Sequence, residues 1–442
     1  MKRDLTDRVK KYAIYLPSLQ QPYAAFALKS NLDVRIGNLP SNFRIRDLDF
    51  MSERSKLWSC KFALYSSGQF TNSPVTNKDM ILSRQRNGTL VVGDSGGYQL
   101  ATGKITNANE KKELFRFATP KTTSDLYHHW FHTGFRERTL SWLDIYTDYA
   151  MTLDLPLWLK SDKSKSPFRY LSVDDLIKLS VDNLRYFQAN RARAFGAFGT
   201  KFLNVLQDIG DGTGELWYHA VKDFDFEGWS FGGETKKLKN FFRRVLLMLE
   251  EDRFKNTELI HILAESPPKS ALIWTAIQRG LSKAVGKDIQ FTYDSSSPHR
   301  ASGQNRAIYQ LPQLSSKINS WRMSSTKIPQ NYQVAQNNIV IKFPEFSPLS
   351  KMFTLNDLVA YDQQYRLGRV DSLSEHLMTN HNIYTFQIAA LQACDLAFGD
   401  KPDFSRIPDP LLQFIEFTEN FFEGKNPGAV LESNLDLLEL VD

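Results

Sequence analysis

One short stretch of the chain combines a carboxyl group, two glycines and an aromatic ring, and reads Asp94-Ser95-Gly96-Gly97-Tyr98-Gln99. It follows directly on the apolar run Leu90-Val91-Val92. An apolar run that stops in a polar, glycine-rich turn indicates a buried strand that opens into a ligand loop. Glycines there let the backbone approach a ligand, the ring offers a stacking face, and the carboxyl group can transfer a proton. A nucleobase would suit this combination, and an ordinary turn with an incidental Tyr is the alternative.

The same arrangement recurs along the chain as short apolar or β-branched runs that end at a polar residue or a glycine. These runs are 149–153 before Asp154, 201–206 before Gln207, 228–231 before Gly232-Gly233-Glu234, 259–263 before Ala264-Glu265, and 289–293 before Asp294. Functional groups at the ends of many successive strands favour a barrel over a doubly wound sheet, which concentrates its site at one switch point.

Helical patterns lie between these runs. Ser172 and Asp175 form a capping box before apolar residues at helical spacing, and apolar stripes run through 238–248 and 273–281. The second stripe ends in a Lys-rich, glycine-containing stop at 283–286. Alternating strands and helices predict a parallel sheet with crossover helices.

We therefore predict an α/β fold, a (β/α)8 TIM barrel with an N-terminal elaboration and a mainly helical C-terminal region. The expected divisions are 1–59 for the elaboration, 60–310 for the barrel, 311–350 for an irregular linker or cover, and 351–442 for the helical region. The linker is rich in Ser, Gln, Asn and Pro. Helical patterns return after it, and the expected packing residues are Leu377, Tyr384, Ile388 and Leu391.

Taken in order, these residues resemble the signature of the tRNA-guanine transglycosylase family. The resembling elements are the 94–99 stretch, Asp154, Gln207, Gly232-Gly233, and Asp294-Ser295-Ser296-Ser297-Pro298-His299-Arg300. That family is a (β/α)8 barrel that exchanges guanine for a 7-deazaguanine base through a covalent glycosyl-enzyme. The resemblance covers about residues 60–310, and its specific parts are the Asp-Ser-Gly-Gly-aromatic-Gln and Asp-x-x-x-Pro-x-Arg elements.

The resemblance and the chemistry together suggest which residues react. Base exchange at C1′ of a sugar resembles glycoside chemistry, in which two carboxylates act as nucleophile and acid/base and two displacements retain the anomer. Asp294 is the expected nucleophile. Asp94 is the expected acid/base, which assists the leaving guanine and takes a proton from the incoming base. Taken singly, either Asp could instead cap a helix or anchor a loop.

The resemblance also implies how the base is held. Asp154 matches the family position that accepts hydrogen bonds from the guanine N1 and 2-amino groups, and Gln207 and the Gly233 amide match positions that meet O6. Tyr98 and Leu263 would sandwich the ring, because apolar and aromatic faces complement a planar base. The complete base-binding set that we expect is Ser95, Tyr98, Asp154, Gln207, Gly232, Gly233 and Leu263.

Four basic residues are expected to bind phosphates. Arg300 and Arg306 follow the expected nucleophile closely enough to contact the phosphates that flank the attacked nucleotide. Lys236 and Lys237 begin a basic cluster directly after Gly232-Gly233, on the active-site face of the expected barrel. A solvated surface is the alternative for each of them.

The chain departs from the family in its cysteines. Family members that act on tRNA usually carry a Cys-x-Cys-x-x-Cys set and a His that bind structural zinc, whereas this chain has only Cys60 and Cys394. His381 resembles the zinc histidine but is expected to pack or form hydrogen bonds. His128 and His132 stand four residues apart without an acidic or Cys partner at a motif spacing. We therefore expect no structural zinc, no other metal and no cofactor.

Without the zinc ligands, the chain most resembles the DNA 7-deazaguanine transglycosylases of the DpdA type, found in phages and genomic islands. The expected partner is DNA, with a 7-deazaguanine base of the preQ0 kind as co-substrate and no membrane. A duplex substrate would need its guanosine flipped out. The alternatives are a tRNA-guanine transglycosylase and a catalytically silent nucleic-acid-binding barrel.

Composition agrees with a polyanionic partner. The 442 residues include 55 Lys and Arg against 49 Asp and Glu, a net charge of +6, and the pI is about 9.0. Two cysteines favour a reducing cytoplasm, which would be that of the host cell if a phage encodes the protein. We also find no signal-peptide pattern at Met1 and no run long enough to cross a membrane.

Overall fold

Eight parallel strands close into a barrel, and their order around the barrel is their order along the chain. The computed structural model describes residues 4–30, 40–70, 78–101, 134–160, 167–193, 196–328, 342–358, 360–362, 367–369 and 371–442. The strands are β1 (Ile14–Leu19), β2 (Phe62–Ser66), β3 (Leu90–Asp94), β4 (Tyr149–Met151), β5 (Lys201–Leu206), β6 (Gly228–Phe231), β7 (Leu259–Ile262) and β8 (Gln290–Ser295). The predicted (β/α)8 barrel is therefore confirmed.

The N-terminal segment contributes to the barrel itself. Residues 1–59, which we predicted as an elaboration, supply β1, which pairs in parallel with β2 on one side and with β8 on the other. Leu16 lies opposite Asp294 in this pairing, so the closing seam of the barrel runs beside the expected nucleophile. Most strand residues are buried, as expected where helices cover a parallel sheet.

Helices connect the strands and continue beyond them. They are α1 (Thr6–Val9), α2 (Gln21–Phe26), α3 (Gly97–Ala101), α4 (Phe135–Tyr146), α5 (Val173–Asn190), α6 (Thr213–Val221), α7 (Leu238–Glu250), α8 (Lys269–Val285), α9 (Ser297–Gly303), α10 (Ser372–Phe398), α11 (Asp409–Glu423), α12 (Pro427–Glu432) and α13 (Leu435–Val441). Short 3-10 helices span Ile45–Leu48, Ser67–Gln69, Leu157–Lys160, Pro167–Tyr170, Gly233–Lys236, Ile318–Ser320, Leu355–Leu358 and Phe404–Arg406. Of the helices described, none has an apolar stretch long enough to span a bilayer.

Two predicted helix boundaries are confirmed. The Ser172 hydroxyl accepts from the Asp175 amide at 3.0 Å, and the Asp175 carboxylate accepts from the Ser172 amide at 3.1 Å, which forms the capping box before α5. Helix α8 ends at Gly286, whose φ of 71° is left-handed, the usual conformation at a helix C-terminus.

The C-terminal region is built around α10, which is buried along most of its length. Its Gln387 amide donates to the backbone oxygen of Tyr15 in β1 at 3.0 Å, and its Asn380 accepts from the Trp58 indole at 2.9 Å. The four predicted packing residues of this helix are all buried. Two antiparallel hairpins complete the region, β9 (Ala307–Gln310) with β10 (Ser324–Lys327) and β11 (Ala360–Asp362) with β12 (Leu367–Arg369). Part of the predicted linker, 329–341, lies outside the described residues.

Candidate active site

The carboxyl ends of the barrel strands carry most of the side chains that we predicted from the sequence. In a (β/α)8 barrel these ends share one face, and active sites form there. Five of these residues are at or directly after a strand end, namely Asp94, Gln207, Gly232, Leu263 and Asp294, and Asp154 is three residues beyond the end of β4. Close contacts between neighbouring members of this set join them into one site.

Asp94 is the last residue of β3 and lies beside Ser66 of β2. The Gly96 amide donates to Asp94 Oδ1 at 3.0 Å. Burial raises the pKa of Asp94 above its usual range, and the charge of Asp294 raises it further, while hydrogen bonds from Gly96 and Ser66 partly oppose this. A carboxyl group that holds its proton more readily than in water is suited to protonating a leaving group.

Asp294, in β8, has a carboxylate with one constrained oxygen. The Ala264 amide donates to Oδ1 at 3.0 Å, and the ring Nε2 of His261 lies 3.4 Å from the same oxygen. The Glu265 amide donates to the backbone oxygen of Asp294 at 2.7 Å. The residue is 8% exposed, and within the described part of the chain no donor reaches Oδ2. Oδ2 is therefore the oxygen available to an electrophile.

Asp154 is a buried acceptor that contacts Gln207. The Gln207 amide donates to Asp154 Oδ2 at 2.8 Å. Burial raises the pKa of Asp154 to about 7, the charge of Asp94 also raises it, and the Gln207 amide opposes both effects. Gly97 approaches the Asp154 backbone so closely that a Cβ atom there would lie 2.6 Å from its carbonyl oxygen. The glycine-rich loop after β3 therefore packs directly on Asp154.

The two glycines after β6 form a narrow wall of the site. A Cβ atom on Gly232 would lie 2.9 Å from Leu263 and 3.2 Å from the Gln207 amide nitrogen. Gly233 has a φ of 60°, in the left-handed region, and a Cβ there would lie 2.5 Å from the Asp208 backbone oxygen. Leu263 and Gln207 thus lie against the same backbone, as expected for residues that surround one planar ligand.

The aromatic member of the first motif is accessible. Tyr98 is 53% exposed, and its ring centroid lies 5.3 Å from that of Trp158, which is in the 3-10 helix after β4. Ser95 is buried, and its backbone oxygen accepts from the Ser67 hydroxyl at 2.9 Å. Trp158 was not among the predicted site residues, although an aromatic residue four positions after Asp154 was a usable signal.

The lysines that we predicted to bind phosphates have carboxylate partners in the structure. Lys236 Nζ lies 2.9 Å from Glu265 and donates to two backbone oxygens directly after β7. Lys237 Nζ lies 2.8 Å from Glu234. The rest of this basic cluster is paired in the same way, as Lys239 with Glu439, Arg243 with Glu432 and Arg244 with Glu215.

The two predicted arginines differ from each other. Arg306 lies 2.8 Å from Glu375 of α10, which anchors it to the C-terminal region. Arg300 is exposed on α9 and donates only to the Ser297 hydroxyl, at 3.4 Å, among the described residues. Of the four predicted phosphate-binding residues, Arg300 is therefore the one whose charge no described carboxylate neutralises.

Potential metal ligands do not cluster in the described part of the chain, where no group of three or more His, Cys, Asp or Glu is arranged around a common point. Cys60 and Cys394 are both buried. The His381 ring contacts the Ser347 hydroxyl at 2.9 Å and the Tyr309 backbone oxygen at 2.8 Å, and burial lowers its pKa to about 4. His128 and His132 lie outside the described residues.

Comparison with known proteins does not identify a family for the chain. No protein-family model matches it, and a search of curated proteins found no significant match. The site brings together Asp94 and Asp294, whose carboxyl groups are suited to acid/base and nucleophilic roles, and the buried Asp154, which is paired with the Gln207 amide beside an apolar and glycine wall.

Proposed function

We propose that the protein is a transglycosylase that exchanges guanine in DNA for a 7-deazaguanine base through a covalent bond to Asp294. The observation that carries this proposal is the juxtaposition of Asp94, Asp154 and Asp294 at one barrel mouth, close enough that the charge of one raises the pKa of the next. Asp154 and Asp294 are buried and Asp94 is partly buried, and desolvated carboxyl groups that share one barrel mouth are typical of a site where a ligand or a reaction uses them. Their order along the chain is also that of the transglycosylase signature.

Two displacements at C1′ use Asp294 and Asp94. Asp294 Oδ2 attacks C1′, the bond from C1′ to guanine N9 breaks, and Asp94 gives its proton to the departing base. The incoming 7-deazaguanine then loses its N9 proton to Asp94, and its nitrogen attacks C1′. The bond between C1′ and Oδ2 breaks with its electron pair returning to Asp294. Two inversions leave the sugar with its original anomeric configuration.

We assign recognition of the base to the expected base-binding residues around Asp154. The ionised Asp154 carboxylate accepts from N1 and the 2-amino group, which other bases do not present together. Gln207 now donates to Asp154 and can turn its amide toward O6, beside the Gly233 backbone. Tyr98 covers one face of the base and Leu263 the other. Guanine and 7-deazaguanines share this edge, so one pocket serves the leaving and the incoming base.

DNA is the proposed substrate because the chain lacks the cysteines that hold zinc in its tRNA-modifying relatives. The net charge of +6 and the exposed Arg300 support a nucleic-acid partner but do not distinguish DNA from RNA. Extrusion of guanosine from a duplex costs less where the base is mismatched or unpaired. We therefore propose that such guanosines are exchanged more readily than paired ones.

An exchange assay with two substrates tests this function. Guanine-labelled DNA containing a mismatched guanosine and labelled tRNA are incubated separately with the protein and a 7-deazaguanine base. We expect release of label from DNA, little from tRNA, and none from either with Asp294→Asn. Release from tRNA alone would restore the tRNA assignment. No release from either, with a folded protein that binds nucleic acid, would favour the catalytically silent barrel.

A further inference from the structure

A buried histidine lies beside the proposed nucleophile and has no part in the steps above. His261 of β7 is directly opposite Thr292 of β8, and both are fully buried. Residues two apart on a strand point to the same face, so Thr292 and Asp294 share the face that His261 meets. The ring Nε2 of His261 lies 3.4 Å from Asp294 Oδ1 and forms no hydrogen bond with any of the described residues.

Thr292 determines which ring nitrogen of His261 carries the proton. Its Oγ1 lies 2.9 Å from His261 Nδ1 and 3.5 Å from the backbone oxygen of Ile260. Hydrogen bonds weaken beyond about 3.2 Å, so the hydroxyl donates to Nδ1, which is then the unprotonated nitrogen. With Nδ1 as the acceptor, the neutral tautomer carries its proton on Nε2, the ring nitrogen that lies 3.4 Å from Asp294 Oδ1. The opposite tautomer would set a buried nitrogen lone pair against a carboxylate oxygen.

We propose that His261, as the tautomer protonated at Nε2, is a positioning residue that holds Asp294 Oδ1 and leaves Oδ2 to attack C1′. This inference rests on the proposed transglycosylase function. The present 3.4 Å exceeds a normal N–H···O distance. The ring and the carboxylate must therefore approach slightly when substrate binds, as catalytic hydrogen bonds commonly do.

The Ala264 amide is the second donor to Oδ1, at 3.0 Å, from a backbone whose φ of 58° is left-handed. Residues other than glycine seldom adopt that conformation. In Ala264 this conformation directs the backbone amide toward the Asp294 carboxylate. Once His261 has also approached Oδ1, as proposed for the substrate complex, two donors on one oxygen would stop the carboxylate from rotating. When the ester bond to Oδ2 breaks, the same donors stabilise the charge that returns to Asp294.

Variants at two positions test the role in catalysis. His261→Leu removes the donor, and we expect it to lower kcat for base exchange by about 10- to 100-fold with KM for the base unchanged, the range typical of lost supporting hydrogen bonds. His261→Gln restores an N–H near the Nε2 position and should recover most of the loss. Ser230→Ala is the matched control, because Ser230 lies opposite His261 on β6, is fully buried, and its hydroxyl forms no hydrogen bond with any described residue, Asp294 included.

The tautomer can be measured without any activity. Nitrogen chemical shifts of histidine-labelled protein distinguish the two ring nitrogens, and His261→Leu assigns the signal among the eight histidines. We expect Nε2 to carry the proton and Thr292→Val, which keeps the branched shape, to weaken that preference. A proton on Nδ1, or His261→Leu with the kcat of the unaltered protein, would overturn the inference. Absence of exchange in the unaltered protein would instead contradict the transglycosylase function, and the nitrogen shifts would still decide the tautomer.

Discussion

Asp94, Asp154 and Asp294 are the same side chain in three different surroundings. At Asp294, the Ala264 amide donates to Oδ1, and the His261 ring lies 3.4 Å from the same oxygen. Burial dominates at the other two and raises the pKa of each. Carboxyl groups whose surroundings differ in this way can take different roles in one reaction.

The raised pKa of Asp154 predicts that base binding depends on pH. Below about 7 the group is protonated, whereas the N1 and 2-amino donors of guanine require the carboxylate. Binding must then expel a proton, so affinity should fall by about tenfold for each pH unit below 7. Calorimetric titration with a 7-deazaguanine between pH 5.5 and pH 8 measures this. Affinity that is flat across this range, or that rises as the pH falls, would remove Asp154 from base recognition.

The same pKa predicts that Asp154 lowers stability. A carboxyl group whose pKa rises from 3.8 to about 7 on folding favours the folded state below pH 3.8 and loses that contribution as the pH rises to 7. Asp154→Asn cannot ionise and retains an oxygen that accepts from Gln207. Because one pKa unit corresponds to about 1.4 kcal/mol, we expect this variant to be more stable by about 1 to 4 kcal/mol at pH 8, with little difference at pH 4. Urea unfolding at both pH values measures it, and equal stability at pH 8 would contradict the expectation.

At the level of elements, the sequence predicted β3 to β8, whose apolar runs end at functional residues, but not β1, β2 or the hairpin strands β9 to β12. Pro17 interrupts the apolar run of β1, and a proline usually argues against a barrel strand. Strand β10 consists of exposed polar residues and has no alternating pattern. The site residues after β3 to β8 were predictable because each is next to its strand. His261 was not, because its role depends on the register between β7 and β8.

The close approach of Gly97, in the loop after β3, to Asp154 gives a test at this scale. Gly97→Ala would bring a methyl group to 2.6 Å from the Asp154 backbone oxygen. The loop must move to accept it, and we expect exchange to fall at least tenfold and stability by about 1 to 3 kcal/mol. Gly428→Ala is the control, since a Cβ atom there meets no atom closer than 3.8 Å. Equal activity of the two variants would show that this packing does not matter to the site.

On the scale of the whole molecule, the C-terminal region is joined to the barrel by polar contacts between residues far apart in the chain. Arg306 pairs with Glu375, and Gln387 and Asn380 bond to groups near the N-terminus. Local sequence patterns carry no information about such partners, so the sequence predicted the packing face of α10 but not what it contacts. Because Glu265 is far from Lys236 in the chain, the sequence also did not reveal that Lys236 has a carboxylate partner.

Three histidines with lowered pKa values predict that the stability of the fold is sensitive to acid. Burial lowers the pKa of His299 to about 3 and those of His376 and His381 to about 4, against 6.5 for an ordinary histidine. The unfolded chain therefore binds more protons, so stability is complete above pH 6.5 and falls progressively as the pH drops toward 4. His381→Gln should flatten this dependence, whereas the same change at the exposed His219 should not. Melting temperatures between pH 4.5 and pH 8 measure both, and identical slopes would contradict the expectation.

The central claim is that Asp294 forms a covalent bond to C1′ of a DNA guanosine. Intact-protein mass spectrometry tests it directly, after incubation with a short oligonucleotide that carries one mismatched guanosine and without an incoming base. We expect a species heavier by the mass of the oligonucleotide less guanine, with one equivalent of free guanine, and neither product with Asp294→Asn. An adduct that persists in Asp294→Asn, or guanine release by the unaltered protein with no adduct, would contradict the account.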